Sequence, residues 1–187
     1  MNEKTLNTIA NSSDIKSALE IMIKQNEEIV RIGNEKALEV IATQSIREQG
    51  PCLSTIYDQD LKQYFFGQNF KKNETVRKQY EYWIHNDANA IIKARFLSYD
   101  DSINKGLVVL SEGADKRLAG QSEIRALNDL LEARKAAGLP INDEIIQNVY
   151  IYNVDLTVTR KNNCIITKPR CENCTVLTDG ANTILNK

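Results

Sequence analysis

Histidine is nearly absent from this chain. Its 187 residues contain one, His85, which excludes a metal site assembled from two or three imidazoles of a single copy. Charge of one sign is not in excess either: 24 basic side chains stand against 25 acidic ones. No global surface therefore advertises nucleic acid or a membrane, and partners have to be argued locally. No apolar run approaches the roughly eighteen residues needed to cross a bilayer. The start MNEKTLNTIANSS lacks the basic and apolar regions of a signal peptide, so the chain is expected to be soluble, cytoplasmic where it is made, and not exported by the general route. Internal repeats and low-complexity segments are missing too. The four cysteines at 52, 164, 171 and 174 are even in number, yet a chain of this length does not depend on a disulfide framework, and two of them sit at metal-ligand spacing. A reducing compartment with metal use is the preferred reading.

What is present supports one sizeable core, since 42% of the residues are hydrophobic and the length suits one domain plus an extension. Residues 1–50 are expected to be a loose polar leader followed by an amphipathic helix capped near Ser13 or Asp14. Ile15, Leu19, Met22, Asn26, Ile29, Gly33, Ala37, Val40 and Gln44 recur at helical spacing, with a bend or break expected at Asn26 and at Gly33-Asn34. Residues 51–187 are expected to form the main domain. Cys52 to Tyr57 and Tyr64 to Gly67 read as a hairpin around Asp58-Gln59-Asp60, and residues 74–97 as two short helices. The stretch 99–120 reads as an irregular connection. Ile124, Leu127 and Leu131 share one face of a helix that Gly138 and Pro140 end. Val149 to Val158 is the strongest strand pattern, followed by a turn at 161–163, a short strand at 164–166 and a last helix from Cys171 towards Thr178, with Gly180 as its stop.

Two short motifs carry chemistry. Pro169-Arg170-Cys171-Glu172-Asn173-Cys174 places two cysteines at C-x-x-C spacing at the start of a helix, where both sulfurs reach one tetrahedral metal and the helix dipole favours the thiolate. Upstream, Gln121-Ser122-Glu123 opens another helix. Zinc nucleobase deaminases read H-x-E followed by P-C-x-x-C, with one His and two Cys on zinc and an unligated Glu moving protons. Here Cys171 and Cys174 match the sulfur ligands and Glu123 matches the proton shuttle, while Gln121 stands where the ligand histidine belongs. An amide oxygen is a poorer zinc ligand than imidazole. Three outcomes stay open: a weakly filled or empty site, replacement of the histidine by water or another side chain, or a change that silences a toxic activity. For Glu123 the plain alternative is a carboxylate complementing a helix N-terminus. His85 reads as a capping or packing residue, and Cys52 and Cys164 as small buried residues on strands.

The hairpin Leu53 to Asp58 and Tyr64 to Asn69, the helix Ser122 to Asn128, and the ending Pro169 to Cys174 with Leu177, Thr178 and Gly180 resemble the C-terminal deaminase domains of bacterial polymorphic toxins, of the YwqJ type, from Pro51 onward. The resemblance implies an α/β fold of the cytidine-deaminase kind, a mixed sheet flanked by helices, here with an N-terminal helical extension. It implies zinc as cofactor, nucleic acid or a nucleotide as substrate, cytosine as the base, a cognate immunity protein, and delivery by a specialised secretion route into a target-cell cytoplasm. Arg170, beside Cys171, is the leading candidate for a phosphate or base contact. Lys71, Lys72, Arg77 and Lys78, among the aromatics Phe65, Phe66, Phe70, Tyr80 and Trp83, are weaker candidates, as are Arg160, Lys161 and Lys168. Two competing classes remain: a non-catalytic binding or antitoxin-like protein on the same fold, and a thiol redox protein using Cys171 and Cys174.

Overall fold

The computed structural model describes the backbone of residues 3–71, 74–112, 114 and 117–184, and the side chains of residues 15–71, 75–112, 114 and 117–184. The chain runs α1 (Glu3–Thr43), β1 (Cys52–Asp58), β2 (Gln63–Gln68), α2 (Glu74–Asn86), α3 (Ala90–Asn104), α4 (Ser122–Ala136), α5 (Asp143–Gln147), β3 (Tyr150–Asp155), α6 (Leu156–Asn162), α7 (Glu172–Leu177) and β4 (Asn182–Ile184). The four strands form one mixed sheet in the order β2-β1-β3-β4. β1 pairs antiparallel with β2 and β3, and β3 pairs parallel with β4. This is an α/β protein with helices on both faces of the sheet and a long N-terminal helix. Among the described residues no helix is long and apolar enough to cross a membrane.

The alternation of side chains along the strands sorts the helices into layers. Leu53, Tyr152 and Val154 point to one face and bury Ile29, Ala37 and Val40 of α1 together with Leu156. Ile56, Phe65 and Ile151 point to the other and meet α2, α3, α4 and α7. Because β1 lies between two neighbours and two helical layers, it is buried along nearly its whole length. In α4, Ile124, Leu127, Leu130 and Leu131 are completely buried, each contributing about 1.5–3 kcal/mol by removal from water. They fix the roll of α4 against the sheet, and its first turn points at the carboxyl-terminal half of the chain.

Several expectations are corrected. Instead of a loose leader capped at Ser13 or Asp14, helical backbone begins at Glu3; the side chains of residues 1–14 lie outside the described set, as do Met1 and Asn2 altogether. α1 does not break at Gly33-Asn34. A Cβ at Gly33 would stand 2.7 Å from the Tyr152 ring and 2.9 Å from Thr55 Oγ1, so the missing side chain lets helix and sheet approach, and Asn34 accepts a hydrogen bond from Tyr152 Oη at 2.7 Å. α3 extends to Asn104, into the stretch expected to be irregular. β3 stops at Asp155, not Val158, because the Asp155 carboxylate accepts from Val158 N–H at 3.0 Å and caps α6. Residues 164–166 form no strand; Thr167 makes a single bridge to Val154. Cys164 is exposed, whereas Cys52 is buried in β1.

Candidate active site

The N-termini of α4 and α7 meet at one side of the sheet. Gln121 is the N-cap residue of α4 and Glu123 lies in its first turn; Cys171 is the N-cap residue of α7 and Cys174 lies in its first turn. All but Cys171 are buried: Gln121 is 3% exposed, Glu123 4% and Cys174 0%. The sulfurs of Cys171 and Cys174 stand 3.3 Å apart, and Cys171 Sγ also accepts the Cys174 N–H at 3.4 Å. Glu123 lies close enough to act electrostatically on both thiols, most strongly on that of Cys174. The structure thus brings Glu123, Cys171 and Cys174 together, two of them buried and one at the surface.

Their surroundings set their chemistry. The hydrogen bond shared with Cys174 lowers the Cys171 thiol to about 7 in spite of burial, helped by the backbone N–H groups at the start of α7. Burial drives the Cys174 thiol in the opposite direction, well above its ordinary value, and Cys171 and Glu123 add to the shift. Beneath them, burial and the charge of Glu123 push Cys52 up to about 12. Glu123 is held on Oε1 by Asn153 Nδ2, which donates at 2.9 Å, while Ser122 Oγ lies 3.1 Å from Oε2.

Gln121 and Cys171 line one cavity of about 830 Å³, together with Phe70, Lys71, Arg117 and Lys168. Phe70 supplies an aromatic wall, braced by Trp83 with ring centroids 5.7 Å apart and by the Arg125 guanidinium 4.3 Å from its centroid. Arg117 donates to the carbonyls of Phe70 and Lys71 and so pins that segment. Lys168 carries a positive charge at the cavity. Burial alone would lower its pKa, but the Asp155 carboxylate at 2.8 Å reverses this and raises it.

The third ligand position fits a metal only in part. Gln121 Nε2 donates to Arg117 O at 3.2 Å, but its Oε1 is buried with no hydrogen-bond partner. Two sulfur donors and one oxygen with nothing to bind are a possible set for zinc, with the oxygen its weak member. Among the described residues no three His, Cys, Asp or Glu side chains make up a metal-ligand group. His85 takes no part: it is exposed in the last turn of α2, its ring edge-on to Phe96 at 6.0 Å.

Arg170 is a correction. Its guanidinium donates to Thr178 O at 3.2 Å, Thr178 Oγ1 at 2.8 Å and Ala181 O at 2.8 Å, tying the end of α7 to the segment before β4. Three of its five N–H donors are taken up in this way, and it does not line the cavity. Arg160 is spent on the carbonyls of Ile41 and Gln44, where it closes the end of α1. Sequence reasoning passed over Asn153, Ser54 and Ser122. A polar residue in the middle of an apolar strand was the available sign for Asn153. No family model, curated protein or solved structure matches the chain.

Proposed function

We propose that this chain is a zinc-dependent nucleobase deaminase domain, with cytosine in nucleic acid as its substrate class and hydrolytic loss of ammonia as its reaction. One observation carries the reading: the buried Glu123 carboxylate contacts the Cys174 thiol beneath a cavity rimmed by Cys171 and Gln121. Cys171, Cys174 and the Gln121 amide oxygen would hold the metal. When bound, zinc supplies the Lewis acidity that activates water at neutral pH. Glu123 takes the proton from water and returns it to the base, a task that requires a carboxylate held in place. Phe70 offers a face for an unstacked base, and Lys71 and Lys168 offer charge for phosphate. The resemblance to polymorphic-toxin deaminases further supports an antibacterial effector, delivered by a specialised route and neutralised by a cognate immunity protein.

A second reading is a non-catalytic protein that keeps the fold for binding. The observation in its favour is Gln121 itself, an uncharged amide in place of imidazole, which lowers metal affinity. Metal analysis and sequencing separate the two. The Gln121→His chain is expected to bind about one zinc per molecule, lost on Cys171→Ser, and to produce C-to-T or C-to-U changes in nucleic acid of cells expressing it, well above those from the unaltered chain. A Gln121→His chain that folds, binds no zinc and alters no base overturns the proposal.

A further inference from the structure

We infer that Asn153 is the residue that positions the Glu123 carboxylate, with Ser54 as its anchor; the task of that carboxylate rests on the deaminase reading above. Asn153 sits in the middle of β3 and is 1% exposed. Its neighbours Tyr152 and Val154 face α1, so Asn153 faces the layer of α4. An amide is disfavoured in a central strand, and burial without partners costs several kcal/mol in model transfers. Here its partners are specific to the site.

The contacts form a relay across three elements, from Ser122 to Ser54 to Asn153 to Glu123. Asn153 Nδ2 donates to Glu123 Oε1 at 2.9 Å, and Asn153 Oδ1 accepts from Ser54 Oγ at 2.6 Å. The one Ser54 proton is spent on Asn153, so the 2.7 Å contact between Ser54 Oγ and Ser122 Oγ takes the Ser122 proton, and Ser122 Oγ lies 3.1 Å from Glu123 Oε2 without a proton to give it. The Ser54 bond fixes the orientation of the Asn153 amide. With Ser54 on its oxygen, its nitrogen is the atom turned to Glu123; the reverse orientation would set a carbonyl oxygen against the carboxylate. Strand β3 therefore holds the carboxylate through its Oε1. Rotation of Glu123 away from the thiols breaks that bond. Ser122 alone, the adjacent residue, moves with α4 and cannot set Glu123 against the sheet; Asn153 can.

The test uses the whole chain, labelled with nitrogen-15. The side-chain amide signal of Asn153, identified by its loss in Asn153→Ala, is expected to exchange its protons at least about tenfold more slowly than a surface asparagine. That protection should vanish in Glu123→Ala and weaken in Ser54→Ala. Free exchange in the unaltered chain, or protection indifferent to Glu123→Ala, overturns the inference. The second arm uses the zinc-loaded Gln121→His chain and a single-stranded oligodeoxynucleotide with one cytosine. Per folded molecule, Asn153→Ala is expected to lower kcat about tenfold to a hundredfold and to leave KM within about twofold. If Asn153→Ala does not fold, Ser54→Ala, which removes one hydroxyl, carries the same test with a smaller drop. Unchanged kcat per folded chain, with stability alone reduced, overturns a positioning role. Protection that behaves as expected with no deamination by the Gln121→His chain overturns the deaminase reading and the role assigned to Glu123 with it. Deamination without that protection overturns the positioning of Glu123 alone.

Discussion

Gly67 lies in β2 directly beneath the first turns of α4, and substituting it with alanine tests whether that contact sets the site. A Cβ at this position would stand 2.1 Å from Ser122 O and 2.5 Å from Ala126 N. Both atoms are backbone, so no side chain can rotate to make room. Ordinary contact starts at 3.4 Å, and the start of α4 therefore has to retreat by about 1.3 Å or β2 has to buckle. Retreat carries Gln121, Ser122 and Glu123 with it. It also loosens two bonds that tie α4 to the end of β2, Ser122 N–H to Asn69 Oδ1 at 3.1 Å and Arg125 Nη1 to Gln68 O at 2.9 Å. Overpacking of this kind costs about 1–3 kcal/mol, and weakening two hydrogen bonds adds to it, so roughly 3 kcal/mol is expected. The gain from restricting the unfolded chain, about 0.4–1 kcal/mol, is too small to reverse the sign. Urea unfolding followed by the single tryptophan, Trp83, reads the loss as a lower midpoint at unchanged slope. Native-state alkylation of Cys174 reads displacement at the site, and should rise. A midpoint shift worth less than about 0.5 kcal/mol, with Cys174 still shielded, would refute the argument.

Two further outcomes concern charge. Arg134 is 3% exposed and binds Asp58, itself buried, at 2.7 Å, while also donating to the Pro140 carbonyl at 2.9 Å; its second partner, Asp60 at 2.8 Å, is mostly exposed and adds little. Arg134→Met leaves the Asp58 carboxylate buried without its cation and is expected to cost about 3–5 kcal/mol, and Arg134→Met with Asp58→Leu to recover much of that; urea midpoints that show no recovery in the double variant contradict it. In the metal-free chain the Cys171 thiolate is present above about pH 7 and lost below it, so its iodoacetamide reactivity, separated from that of exposed Cys164 by peptide mapping, should level off above that pH. Cys174→Ala removes the principal cause of the shift and should move the inflection upward; an inflection already near the ordinary thiol value of about 8.5 in the unaltered chain contradicts it.

Some elements were legible in the chain because one local pattern decided them. The hairpin follows from its aromatic strands and polar turn, and α4 from Ile124, Leu127 and Leu131 with Gly138-Pro140 behind them. Other elements depended on competition between patterns. Leu156 and Val158 continue the alternation of β3, yet the Asp155 cap turns the chain into α6 and delivers Leu156 to the α1 face of the core. Gly33 reads locally as a helix breaker, and only the approach of Tyr152 and Thr55 explains its place inside α1. Short β4 has no signature of its own; three residues pair with β3 because α7 and its turn bring them there.

The site divides along the same line. The proximity of Glu123 to Cys174 followed from two motifs at helix starts, each local in sequence. The relay that holds Glu123 did not, because its members Ser54 and Asn153 are 99 residues apart and each is unremarked in its own strand. Arg170 was misread for a related reason: adjacency to a ligand position says nothing of direction, and the carbonyls left over by the end of α7 claim its guanidinium. At Gln121 the sequence spacing reads a substituted ligand, and the structure leaves the side-chain Oε1 as a buried acceptor without a partner. Such an atom costs about 1–3 kcal/mol when nothing satisfies it. No capping bond from its own helix offsets that cost, so an ion or a histidine ring that serves this position is expected to raise the urea midpoint, and an unchanged midpoint with zinc added to the Gln121→His chain would count against a metal at this position.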